Sequence, residues 1–169
     1  SLRTVLTIDE NLHPDIAPLA WLIGRWEGAG VVGYPTMEES ANFGQELVVE
    51  HDGRPFLSWT SRTWILDESG QKVRPCASES GYWRAAGEGE VELLLAHPTG
   101  IVEMYYGTVE PARIQVRTDS VVRSPSAKEY TAAARMYGLV GGNLMWVMDM
   151  AAMGETTTSH VSAELKRVG

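Results

Sequence analysis

The chain has 169 residues, 44% of them hydrophobic and 21% charged, which suits one well-cored domain and excludes wholesale disorder. Its formal net charge of −8 repels phosphate backbones and anionic lipid surfaces, so neither nucleic acid nor membrane is expected as a partner. A single cysteine, Cys76, leaves no intrachain disulfide, and no apolar run approaches the roughly 18 residues of a spanning helix.

Residues 1–13 show no clear period and are expected to form a flexible leader, with a single domain over 14–169. Ser1-Leu2-Arg3 does not open the charged, apolar, small-residue pattern of a signal peptide, so the expected setting is cytoplasmic. Pro14 to Ile23 is apolar and proline-bounded and predicts a short helix ended by Gly24. Gly24-x-Trp26-x-Gly28-x-Gly30 follows. Glycines two apart leave one face of a strand bare, which suits a bulge, a sharp bend or close backbone approach. The segment lacks the Lys-Ser/Thr ending and following helix of a phosphate loop.

Beyond Arg25 the apolar residues recur at period 2 between turn signals such as Asp52-Gly53, Gly87-Glu88-Gly89, Pro98-Thr99-Gly100 and Gly141-Gly142. Strands are predicted over 25–33, 41–51, 54–66, 77–85, 90–97, 101–109, 112–119, 128–137, 143–151 and 160–167. About ten strands with short connections predict an all-β fold, an antiparallel up-and-down barrel with a short N-terminal helix; a β-sandwich is the second choice. Glu90 and Glu92 mark a wet face, so Val91, Leu93, Leu95 and His97 point inward. Asp149 likewise marks the outer face of 143–150, sending Leu144, Trp146, Met148 and Met150 inward. Such an interior suits a flat apolar ligand.

Of the four histidines, His13 and His51 read as solvated and His97 as inward. His160 opens the last apolar stretch. Strict alternation sends Val161, Ala163 and Leu165 in and His160 out with Ser162 and Glu164, unless His160 belongs to the loop at the barrel mouth. No helical histidine pair, Cys-x-x-Cys or nucleophile elbow is present. Cys76 reads as a packed small side chain, and Glu38-Glu39 and Glu90/Glu92 as solvated faces.

An ordered set of segments carries more than any one of them. It comprises Gly24-x-Trp26-x-Gly28-x-Gly30, Tyr34-Pro35-Thr36, Gly53-Arg54-Pro55-Phe56 and Glu79-Ser80-Gly81-Tyr82. It continues with Ala96-His97-Pro98-Thr99-Gly100, Val102-Glu103, Ala127-Lys128-Glu129, and Met150 with His160 ten residues on. From about Pro14 to Arg167 the chain resembles the nitrobindin family, haem-binding barrels related in shape to fatty-acid-binding proteins. The resemblance implies one haem b per chain with His160 as the iron ligand. It also implies nitric oxide binding and haem-dependent isomerisation of peroxynitrite to nitrate, protecting against or sensing reactive nitrogen species.

The same resemblance places Met150, His97 and Cys76 in the haem pocket and offers Thr36 and Lys128 as contacts to haem or its propionates. Gly24, Trp26, Gly28 and Gly30 belong to the cofactor-binding set on the same ground. Two departures stand out: Ala77, where many relatives carry a histidine, and Val32, where the longer glycine pattern has a third glycine. The expected partners are small molecules, to a monomer or homodimer. Two other readings stay open: a haem-free carrier of fatty acid or another apolar ligand, and an interaction domain with a solid core. The carrier would be favoured by an internal arginine pair, which Arg25, Arg54, Arg62 and Arg84 do not clearly supply.

Overall fold

The computed structural model describes residues 10–33, 40–128, 130–152 and 159–169. A 3₁₀ helix over Pro14–Leu22 precedes ten strands. They are β1 (Gly24–Gly33), β2 (Ala41–Glu50), β3 (Phe56–Leu66), β4 (Lys72–Gly87) and β5 (Glu90–His97). Then come β6 (Ile101–Glu110), β7 (Arg113–Arg123), β8 (Tyr130–Val140), β9 (Asn143–Ala152) and β10 (Ser159–Arg167). Every neighbouring pair is antiparallel and β1 pairs with β10, so the sheet closes into a barrel. Closure removes the free edges a sandwich would keep, and the sandwich expectation is set aside.

The predicted helix forms in 3₁₀ rather than α geometry. Pro18 lacks the N–H an α-helix would use there, and His13 caps the start by accepting the Asp15 N–H at 3.1 Å. Ile16, Leu19 and Leu22 bury themselves over one end of the barrel, and the Trp26 indole donates to the Leu22 carbonyl at 2.9 Å. At this closed end the seam between β1 and β10 is tied by Arg167. Its guanidinium donates to the carbonyls of Ile23 and Trp21 and lies 4.2 Å from the Trp26 ring centre.

Gly30 shows why β1 opens with bare positions. A Cβ there would meet the Phe43 ring at 2.5 Å and the Ala163 side chain at 2.7 Å, so the glycine lets β2 and β10 crowd the seam.

The core fills the lower barrel with Trp59, Trp83 and Tyr137, each pair edge-to-face with ring centres 5.3–5.7 Å apart. Trp146 stacks on Tyr137 at 6.0 Å and donates its indole N–H to buried Gln45 at 2.8 Å. One stretch of wall is thinner. Among the described residues β7 pairs with β8 from Arg113 to Arg117; above that, the Thr118 hydroxyl bonds both N–H and C=O of Ala133, at 3.1 and 3.4 Å.

Candidate functional site

The core does not reach the end of the barrel opposite the 3₁₀ helix. There the start of β4, β6, β8 and β10 and the end of β1, β5 and β9 surround a cavity of about 230 Å³. One wall is apolar, built from Val32, Phe43, Trp146, Met148, Met150 and Val161 on β1, β2, β9 and β10. The facing wall is polar, with Glu79, His97, Glu103, Tyr130 and Arg135. Cys76 and Ala77 are exposed at the rim.

The polar wall is one connected network. Arg135, whose side chain is 2% exposed, grips both oxygens of Glu79 at 2.9 Å and reaches Glu103 at 3.5 Å. Its Nε donates to the Tyr105 hydroxyl and Nη1 to the Tyr137 hydroxyl, both at 3.0 Å. Tyr105 and Tyr130 in turn donate to Glu103 at 3.0 and 2.6 Å, and the Trp59 indole donates to Glu79 at 3.1 Å. His97 Nε2 completes the set, 2.7 Å from Glu103 Oε1.

Burial pushes both carboxyls up, but it is outweighed. The Arg135 charge and hydrogen bonds hold Glu79 below the usual range; His97, Arg135 and Tyr130 do the same for Glu103. Both are therefore carboxylates at neutral pH. Burial dominates for the tyrosines, pushing Tyr137 up to about 12 and Tyr105 and Tyr130 further, so all three hydroxyls stay neutral.

Of the sequence-predicted residues, the cavity gathers His97, Met150 and Cys76. Thr36 lies outside the described residues. Lys128 is exposed just before β8 and is not part of the wall. Gly24, Trp26, Gly28 and Gly30 also lie off the wall, serving the closed end and the β1–β10 seam as described above.

His160 sits second in β10, opposite Asp149 on β9 and Gly33 on β1. Its ring faces outward, 61% exposed, with Nδ1 2.7 Å from Asp149 Oδ1. Regular alternation, which buries Ser159 and Val161 on either side, puts it there. The apolar wall thus fits the body of a flat macrocycle, while the one imidazole on the cavity wall among the described residues belongs to His97.

Arg135, Glu79, Glu103 and the three tyrosines are absent from the sequence-based site. Alternation could have found them: Ala133, Arg135 and Tyr137 share the parity of buried residues, as do Glu103 and Tyr105. Charged residues on a strand read as solvent-facing by default, and nothing local shows that two acids on separate strands converge on one arginine.

A closed barrel with one end filled and the other holding a two-sided cavity defines a small-ligand-binding barrel. The model for the THAP4-like, heme-binding β-barrel domain matches residues 15–167, and the chain belongs to this family, the nitrobindins. The chain is 51% identical over 160 residues to a peroxynitrite isomerase of Nocardioides sp., covering 95% of this chain and 97% of that one. It is 49% identical to a ferric nitrobindin-like protein of Kineococcus radiotolerans, covering 90% and 93%. Among solved structures, Rv2717c from M. tuberculosis superposes with a TM-score of 0.82 at 36% identity, covering 94% of this chain and 99% of that one.

Proposed function

We propose that the chain holds one ferric haem b in the cavity, with His160 as the iron ligand, and isomerises peroxynitrite to nitrate. The observation that carries this reading is the apolar wall of β1, β2, β9 and β10, which lies at the end of the barrel where β10 begins and His160 stands second in it. Haem iron held by one imidazole supplies an open coordination position at which nitric oxide or peroxynitrite binds.

The chain's own part is to seat the macrocycle against Met148, Met150, Val161 and Trp146, present the ligand and keep the other face polar. Coordination requires the backbone at Ser159–His160 to turn the imidazole inward, and among the described residues a side-chain bond to exposed Asp149 holds it outside. Lys128, exposed ahead of β8, is the cation this reading assigns to a propionate, as the family resemblance implies. The biological role that follows is protection against, or sensing of, reactive nitrogen species.

The carrier reading loses ground at Arg135. A barrel that reads a fatty carboxylate needs an internal cation to spare, and this arginine already faces two carboxylates. An incoming third acid would meet net negative charge in a poorly solvated site.

Absorption spectra on adding hemin test the proposal. A one-to-one Soret band is expected for the native protein, lost or displaced in His160→Ala. A free-hemin spectrum in both would sink the reading and turn attention to displacement of a fluorescent fatty acid. A band displaced in His97→Ala and untouched in His160→Ala would move the ligand to the cavity wall.

A further inference from the structure

The polar wall is built around one ring nitrogen. His97 Nε2 lies 2.7 Å from Glu103 Oε1, and Glu103, 1% exposed, is a carboxylate that can only accept. The hydrogen on that bond is therefore carried by Nε2. Glu103 cannot turn away, because Tyr105 holds Oε1 and Tyr130 holds Oε2. Nδ1 has no hydrogen-bond partner among the described residues, and the His97 side chain is 19% exposed on the cavity wall. A carboxylate behind one imidazole nitrogen, with the other left free, fixes the tautomer and aims the ring.

We propose that His97 is the cavity's ligand-bonding residue: its Nδ1 bonds the outer atom of a small oxygen- or nitrogen-based ligand held in the cavity. A neutral ring accepts there from a protonated ligand, and a protonated ring donates there to an anionic one. The titratable groups that share the cavity lining with the ring, or bond into its network, are Glu79 and Cys76 from β4, Glu103 and Tyr105 from β6, and Tyr130 and Arg135 from β8. Two carboxylates against one guanidinium leave negative charge at this wall, so an anionic ligand is accommodated best with a proton on Nδ1. Preorganisation by the buried tyrosines means the ring need not be reoriented when the ligand arrives.

The inference rests on the haem reading, and two measurements separate their failures. In haem-free protein, histidine ¹⁵N shifts should show the neutral His97 ring protonated at Nε2, a preference lost in Glu103→Gln. In the hemin-loaded, reduced protein, carbon monoxide can only accept a hydrogen bond, so its infrared stretch should report the protonated ring. Native protein should show a lower-frequency band growing as pH falls, and His97→Phe a single higher-frequency band at every pH. His97→Gln, which keeps a donor, should restore a lowered band without its pH dependence.

At a pH low enough for the lowered carbon monoxide band to dominate in the native protein, nitric oxide should leave His97→Phe about tenfold faster than the native protein, the worth of one ordinary hydrogen bond. Equal hemin uptake by the variants shows that the barrel has folded. Uptake with an unchanged carbon monoxide band in His97→Phe overturns this inference alone. An Nδ1-protonated neutral ring overturns its geometry. Absence of hemin uptake in the native protein overturns the haem reading, and the inference falls with it.

Discussion

At the scale of single residues, Arg135 is the side chain on which the site depends. Among the described residues it is the one guanidinium of a buried cluster holding two carboxylates, and it grips Glu79 through a two-bond fork that a lysine cannot reproduce. Replacing it by methionine leaves both carboxylates buried without their guanidinium counter-charge, Glu79 keeping the Trp59 indole and Glu103 the hydroxyls of Tyr105 and Tyr130 with His97, which costs about 3–5 kcal/mol. Urea unfolding of Arg135→Met should therefore show a large drop in midpoint at unchanged slope. A loss below about 1 kcal/mol would mean that water reaches these acids and that the network is not a sealed one. The sequence held the parity that places Arg135 inward but not its partners, since Glu79 and Glu103 lie 56 and 32 residues away on other strands. His160 shows the opposite relation. Alternation alone sends it outward, and it is outward; the expectation that it meets the cavity came from family likeness, not from its own strand.

Strands and their antiparallel order were more legible than their ends. Period-2 alternation and glycine turns located all ten, because most have one wet and one packed face. The ends drifted where a strand lacks a regular neighbour. β8 is predicted at 128–137 and found at Tyr130–Val140, beside the stretch where its ladder with β7 is interrupted. There Thr118 stands in for the missing backbone bonds, its hydroxyl serving both polar groups of Ala133. Thr63 does the same for Ala77 where β3 and β4 slip register, at 2.9 and 3.2 Å. Both are side-chain repairs of a barrel wall near the cavity, and neither leaves a sequence signature. Thr118→Val removes both bonds while keeping the shape of the side chain. Hydrogen exchange at the Ala133 amide should then quicken by about tenfold, one hydrogen bond's worth, with amides in β1 unchanged. Equal quickening across the barrel would mean that the variant loosens the whole fold instead.

For the whole molecule, the two buried carboxylates tie stability to pH through Arg135. Both are held below their ordinary value of 4.5, so the folded protein binds their protons less readily than the unfolded chain does. Their contribution is complete above pH 4.5 and is lost as pH falls through the lower, folded values. Native stability should fall on acidification below pH 4.5 on this account. The Arg135→Met protein should behave differently. With the guanidinium gone, burial is the main influence left on Glu79, and it pushes the carboxyl up. Its buried charge is then a penalty at pH 7 that protonation relieves. The difference in stability between native and variant should accordingly be largest near neutral pH and shrink steadily towards pH 4. Urea midpoints at three or four pH values for both proteins measure it directly. A difference that stays constant with pH would show that the variant is destabilised by lost packing alone. It would also detach the arginine from the ionisation of the cavity wall, which is the electrostatic setting in which His97 meets its ligand.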